Sequence, residues 1–131
     1  MAELSALDAL LGASIEVTDT VRIKRLGVDF EIKAITGDVL AAVREQATYP
    51  EGTGKNRKLI VKEDEVGRLL IAKSVTSPNF NDAKLLAHYK AVDAGDCVQK
   101  ALLAGEIATL QQAVLELSGF GGDDEVEEIK N

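Results

Sequence analysis

Residues 21–35, VRIKRLGVDFEIKAI, decide the fold class of this chain. Apolar residues alternate with polar ones on both sides of a glycine. Val21 and Ile23 precede it, and Phe30 and Ile32 follow it. A period of two is typical of β-strands that bury one face. We therefore predict an antiparallel β-hairpin in this stretch.

The turn of this hairpin is predicted at residues 27–28, with the glycine in the first position of a type II′ turn. Such a turn places Ile23 opposite Ile32 on one face of the hairpin. On the other face it places Lys24 opposite Glu31, a pair of opposite charges. Both pairs are favourable, and the hairpin is expected to bury its aliphatic face.

Beyond the hairpin the period of the apolar residues becomes helical. One helix is predicted to begin at Thr36 or Asp38 and to end before Pro50. A second is predicted to begin at the acidic residues 63–65 and to end before Pro78. Between them we expect a loop over residues 50–57 and a short strand over residues 58–62. Three more helices are predicted at residues 82–90, 96–103 and 106–117.

A short helix is predicted ahead of the hairpin, at residues 4–11 (LSALDALL), with Gly12 as its stop. Its leucines share one face and are the candidate partner-binding residues: Leu4, Leu7, Leu10 and Leu11. A helix of this length is only marginally stable in isolation, so we expect it to dock on another surface. Two interpretations remain open, docking on the core of its own domain and docking on a partner.

The predicted fold class is α+β: an N-terminal helix and a small antiparallel β-hairpin, followed by a mainly α-helical domain. The length of 131 residues is typical of one domain, and we assign residues 1–120 to it. Residues 121–131, GGDDEVEEIKN, carry five acids and one lysine. This composition predicts a disordered acidic tail.

Charge and hydropathy limit the classes of partner that this chain is expected to bind. The chain has 15 basic and 22 acidic residues, a net charge of −7, so binding to nucleic acid or to a membrane surface is disfavoured. Apolar stretches are shorter than the roughly 20 residues that span a bilayer. The start, Met1-Ala2-Glu3, lacks the basic region of a signal peptide, so we expect a cytosolic protein. Protein partners are the default expectation.

No motif predicts catalysis, and we expect neither cofactor nor metal. The segment Gly52-Thr53-Gly54-Lys55 lacks the first glycine and the final Ser or Thr of a phosphate-binding loop, and is read as a polar loop. A single histidine, His88, and a single cysteine, Cys97, exclude a Cys/His zinc site and a disulfide framework. Cys97 is predicted to be a small packed residue.

One cluster of basic residues stands out in the predicted loop and strand: Lys55, Arg57, Lys58 and Lys62. It has no interleaved aromatic residues, and acids follow it directly at residues 63–65, so a nucleic-acid site is not favoured. A solvated loop is the simpler interpretation. If the cluster has a function, it is to bind an acidic segment of a partner.

Four segments, taken in order, resemble a known family. They are residues 28–35 (VDFEIKAI), 77–82 (SPNFND), 101–107 (ALLAGEI) and 115–120 (LELSGF). As an ordered set they resemble phage tail assembly chaperones of the XkdN type, small proteins of phages and defective prophages of Gram-positive bacteria. The N-terminal leucine-rich helix and the hairpin fit that family too, so the resemblance covers about residues 4–120.

The resemblance implies a non-enzymatic assembly factor. Chaperones of this class bind the tape measure protein, help recruit tail tube protein subunits, act in the bacterial host cytoplasm and are absent from the mature virion. The sequence leaves a homo-oligomer open. The main alternative is a structural phage protein, such as a head–tail connector or minor tail component. An acidic DNA mimic is disfavoured, because residues 1–120 carry 14 basic against 17 acidic residues.

Overall fold

The computed structural model describes residues 5–14 and 16–120. Leu4 and the predicted tail, residues 121–131, lie outside the described residues. Six helices are present in the described part: α1 (Ala6–Gly12), α2 (Gly37–Gln46), α3 (Glu63–Ser74), α4 (Ala83–Tyr89), α5 (Ala94–Ala101) and α6 (Ala104–Leu117). The strands are β1 (Thr18–Ile23), β2 (Val28–Lys33), β3 (Thr48–Glu51), β4 (Lys58–Val61) and β5 (Val75–Ser77). The predicted α+β class is confirmed.

Strands β1 and β2 form the predicted hairpin, but the predicted register is wrong. Ile23 pairs with Val28, so the turn is a four-residue loop over residues 24–27. Ile32 lies opposite Asp19 instead of Ile23. Gly27 occupies the last position of the loop with a φ of +69°, and its N–H donates to the carbonyl oxygen of Ile23 at 3.0 Å. Glycine is favoured there because other residues rarely adopt this conformation.

The aliphatic face of the hairpin is nevertheless the one that was predicted. Ile23, Phe30 and Ile32 are all buried. The observed register differs from the predicted one by four residues, and an even shift leaves every side chain on the same face of its strand. Alternation alone therefore identifies the buried face, whereas the geometry of the turn selects the register.

A third strand, β5, extends the sheet to the order β1-β2-β5 and was not predicted. It follows α3 directly and pairs antiparallel with β2, with Val75 opposite Ile32 and Ser77 opposite Glu31. The register shifts between these two pairs, which marks an irregularity in the ladder. The segment is too short for its own periodicity to reveal a strand.

The predicted helix at Thr36 or Asp38 begins with Thr36 as its N-cap residue. Beyond it the predicted loop over residues 50–57 is wrong in its first two positions, because β3 continues to Glu51 and pairs with β4. Pro50 lies opposite Leu59 in this isolated two-stranded sheet. Both strands of such a sheet are edges, where a residue without an N–H is tolerated.

The core consists of two clusters that meet along α3. The first joins the three-stranded sheet to α5 and α6 and includes Ile71 of α3. The second lies between α2 and α3 and includes Val43 and Leu70. On α6, Leu110 and Val114 of the predicted stripe are fully buried. These two clusters hold the sheet, α4 and the α5–α6 junction in the positions that form the surfaces described next.

Candidate functional site

The N-terminal helix α1 presents an exposed apolar face. Ser5 is its N-cap, and the Ser5 hydroxyl oxygen accepts a hydrogen bond from the N–H of Asp8 at 3.1 Å. Leu7, Leu10 and Leu11 are 65%, 76% and 76% exposed, and no residue of the helix is buried. Their spacing places them side by side on the helix surface. The helix therefore presents three leucine side chains to solvent.

This face does not contribute to either core cluster. Exposed single leucines are ordinary on a protein surface, but three adjacent ones on a seven-residue helix are not accounted for by packing within the described residues. Leu4, the fourth candidate of the sequence prediction, lies outside the described residues. The partner-binding role of the set stays a prediction.

A second apolar surface lies between the hairpin turn, α4 and the end of α5. It is a groove of about 470 Å³ that the sequence analysis missed. Its apolar lining comes from four separate segments: Leu26, Val28, Phe30, Pro78, Phe80, Leu85, Tyr89 and Leu102. Phe30 and Phe80 are buried, and their rings meet edge to face with centroids 6.1 Å apart. Leu26 and Val28 remain about half exposed on the hairpin side.

The groove continues along α4 into a shallower depression of about 290 Å³, with which it shares Pro78 and Leu85. Lys84 and His88 also line this extension. The ring of His88 lies edge to face against that of Tyr89, with centroids 4.7 Å apart. The His88 ring thus lines one side of a mainly apolar surface.

An ion pair fixes the hairpin side of the groove to the α5–α6 junction. Arg25 donates from Nε and Nη2 to the two carboxylate oxygens of Glu106, at 2.9 and 2.7 Å. Arg25 Nη2 also donates to the carbonyl oxygen of Ala101 at 3.3 Å. The bonds from Arg25, together with one from the N–H of Leu103, hold the pKa of Glu106 below its ordinary value. The neighbouring residue, Leu26, is thereby held at the groove wall.

A polar cavity of about 200 Å³ lies on another side of the molecule, beside α3 and α5. Its acidic residues have structural roles. Asp93 caps α5, accepting from the N–H of Asp96 at 2.8 Å. Asp96 accepts from the N–H of Val92 and pairs with Lys100, both at 3.0 Å, and these bonds lower its pKa. Within residues 5–14 and 16–120, no three His, Cys, Asp or Glu side chains are grouped so that they could hold a metal ion.

The remaining sequence candidates lie apart from one another. The segment Gly52-Thr53-Gly54-Lys55 forms the turn of the β3–β4 hairpin. At Gly52, which has a φ of +87°, a Cβ would lie 2.6 Å from the carbonyl oxygen of Asn56, so only glycine fits. Cys97 is fully buried in the first core cluster, as predicted. Burial raises the pKa of the Cys97 thiol, which disfavours the reactive thiolate.

The family described as phage XkdN-like tail assembly chaperone protein matches residues 7–130 of the sequence. The chain belongs to this family. The resemblance found in the sequence is thereby confirmed for nearly the whole chain, including the segments that form the sheet, the groove and α6.

A solved structure supports the fold. The crystal structure of the protein yqbn is similar to this one, with a TM-score of 0.64 and 19% sequence identity. The match covers 90% of this chain and 99% of that chain. None of the curated proteins matches the sequence. Among the residues of this tail assembly chaperone that the structure describes, no helix is long and apolar enough to cross a membrane.

The groove escaped sequence analysis for a physical reason. Its residues come from the hairpin turn, the segment after β5, α4 and α5, and no local pattern links them. Two signals were present in the sequence: the apolar pair Leu26 and Val28 flanking the turn glycine, and the segment 77–82 among those that carry the family resemblance. Neither signal indicates that the two segments lie together in space.

Proposed function

We propose that this tail assembly chaperone binds the tape measure protein before the tail is assembled. It covers apolar helical stretches of that protein, keeps them from aggregating, and helps recruit tail tube protein subunits. It acts without catalysis in the bacterial host cytoplasm and is absent from the mature virion. Family membership supports an assembly role, and the details of the partners are our proposal.

The observation that carries the proposal is the exposed face of α1. Leu7, Leu10 and Leu11 form an apolar surface at helical spacing, which is the arrangement by which a helix packs against another apolar helix. The chain's net charge of −7 favours solubility while such a surface is held open. An amphipathic helix of the client can bury these leucines in place of water.

The groove beside α4 is a candidate second contact for the same client. Its lining is mainly aliphatic and aromatic, with Asp29 and Ser77 as its polar members, and the edge-to-face contact of Phe30 with Phe80 fixes its floor. Pre-formed apolar grooves accept the apolar face of a helix without first reorganising. A client that occupies both surfaces would gain from the linkage of two weak contacts.

Co-expression tests the proposal. The tape measure protein encoded with this chain is expressed alone, with the full chain, and with an unrelated small acidic protein as control. We expect the soluble fraction of the tape measure protein to rise only with the full chain, without any nucleotide or metal added. Mass spectrometry of purified phage particles should find no stoichiometric copies of the chain. A fixed number of copies per particle would favour a structural tail component instead.

A further inference from the structure

The β3–β4 hairpin is an exposed arm of the molecule. Residues 49–59 are all exposed, and within the described residues β3 and β4 pair mainly with each other. At its base the N–H of Lys62 donates to the carbonyl oxygen of Ala47 at 2.9 Å, which anchors the arm to the end of α2. The turn at Gly54–Asn56 is the outermost part of this arm.

The outer end of the arm carries three exposed cations, Lys55, Arg57 and Lys58, which we call the basic tip. None of the three forms an ion pair with any residue that the structure describes. Glu51 is the cross-strand neighbour of Lys58 and offsets one of the charges. The basic tip therefore carries a local net positive charge, and none of its cations is held in an ion pair within the described part of the chain.

The fourth member of the predicted basic cluster is already engaged. Lys62 lies with its ammonium 4.8 Å from the centroid of the Tyr49 ring, a cation–π contact. The Tyr49 hydroxyl in turn donates to the carboxylate of Glu65 at 2.7 Å. Lys62 belongs to the base of the arm, and the basic tip is chemically separate from it.

We propose that the acidic segment at residues 123–131 docks on the basic tip of the same chain. This segment contains five carboxylates and one lysine, and it is the most acidic stretch of the sequence. Its charge is complementary to that of the basic tip, whose three cations take part in none of the described ion pairs. The contact is electrostatic and needs no fixed secondary structure in the segment.

The path of the chain makes this contact geometrically feasible. Residue Phe120 lies just past α6, with its N–H donating to the carbonyl oxygen of Leu115 at 2.9 Å. Leu115 packs on the same core cluster as Val61 of β4, so α6 ends on the side of the molecule where the basic arm begins. The cations of the basic tip lie three to six residues before Val61 in the sequence. Residues 121–131 extended at about 3.3–3.6 Å per residue reach further than that.

The contact should depend strongly on salt. Exposed charges interact over a Debye length of about 30 Å at 0.01 M salt and about 3 Å at 1 M. The docked segment covers the basic tip at low ionic strength and leaves it at high ionic strength. An acidic segment of another protein would have to compete with it for the same three cations.

Nuclear magnetic resonance on the full chain tests the proposal with two matched variants. The test variant, K55Q/R57Q/K58Q, removes the basic tip. The control variant, K24Q/K33Q/K84Q, removes three exposed lysines that lie elsewhere. We expect the test variant, and not the control, to shift the amide signals of residues 123–131 in about 0.01 M salt, with the difference lost in about 1 M salt. Neutralising the acids as D123N/D124N/E125Q/E127Q/E128Q should shift residues 53–59 in return.

Equal effects of the test and control variants on residues 123–131 would overturn the proposal, because they would reflect net charge alone. Shifts that grow with protein concentration would also overturn it, since the segment would then contact a second copy. A folded test variant is verified by unchanged amide signals for the core residues Ile71 and Leu110, both fully buried.

Discussion

Arg25 in the turn of the first hairpin and Glu106 in the first turn of α6 are joined by two hydrogen bonds of 2.9 and 2.7 Å, although 81 residues separate them in sequence. Paired bonds of this kind fix orientation as well as distance. The ion pair therefore sets the position of the hairpin turn against the helical part of the protein. One wall of the apolar groove depends on it.

The pH dependence of stability should report this ion pair. The pKa of Glu106 is lowered in the folded protein, chiefly by the hydrogen bonds from Arg25. Its contribution is therefore complete above the ordinary glutamate pKa of 4.5 and is lost as the pH falls through the lower folded value. We expect wild type to melt at a higher temperature than Glu106→Gln at pH 7, and the gap to close in acid.

The control for this measurement is Glu45→Gln, which removes an exposed carboxylate that forms no ion pair with the described residues. Its melting temperature should follow that of wild type across the pH range. If the gap between wild type and Glu106→Gln were as wide at pH 3 as at pH 7, the ionised pair would not be the source of the effect.

The floor of the groove should be a major contributor to stability. Phe80 is 2% exposed and packs edge to face on Phe30, so Phe80→Ala should lower the free energy of unfolding by about 3–5 kcal/mol. Phe120→Ala is the matched control, because Phe120 is 55% exposed, and it should change that free energy by less than about 0.5 kcal/mol. Chemical denaturation of the two variants measures both changes in the free energy of unfolding. Similar losses in both would mean that the assigned burial is wrong.

Ser74 offers a substitution that should not destabilise the protein. Its hydroxyl is fully buried at the end of α3 and has no hydrogen-bond partner among the described residues. An unpaired buried hydroxyl costs about 1–3 kcal/mol, so Ser74→Ala should leave stability unchanged or raise it. Ser74→Val serves as the contrasting variant, because added methyl groups must overpack the site. A clear loss in Ser74→Ala would reveal a partner for the hydroxyl.

Cys97 should be unreactive in the folded protein. The side chain is fully buried in the core and its thiol pKa is raised by burial, so little thiolate is accessible at pH 8. We expect a thiol reagent to label the native protein only as fast as the protein unfolds, and to label it at once in denaturant. Rapid labelling of native protein would contradict the burial of Cys97.

The helices were predictable because their apolar residues recur at helical spacing within each segment, most clearly in the longest one, α6. For α6 the predicted stripe contains Leu110 and Val114, which are the fully buried residues of that helix. The register of the first hairpin was not predictable, because a shift of four residues buries the same side chains. Two strands were missed for local reasons: β5 has three residues, and β3 contains a proline that is tolerated at a sheet edge.

Of the two candidate apolar surfaces, one was predictable from the sequence and the other was not. The leucine face of α1 is visible in the sequence, because Leu7, Leu10 and Leu11 fall on one side of a single helix. The groove is not visible, because Leu26 and Leu85 meet only after the sheet and α4 have packed together. Sequence patterns locate surfaces formed within one element, while surfaces between elements depend on the tertiary fold.

The proposed client-binding role of α1 is tested by the affinity of the full chain for the tape measure protein when the leucine face of α1 is made polar. The variant L7Q/L10Q/L11Q should lose co-purification with the tape measure protein, while its circular dichroism and melting temperature stay within error of wild type, because no residue of α1 is buried. The control L59Q/V92Q/L103Q replaces three equally exposed apolar residues elsewhere and should bind as wild type does. Retained binding by L7Q/L10Q/L11Q would contradict the client-binding role of α1, and a large fall in its melting temperature would show that the helix belongs to the core.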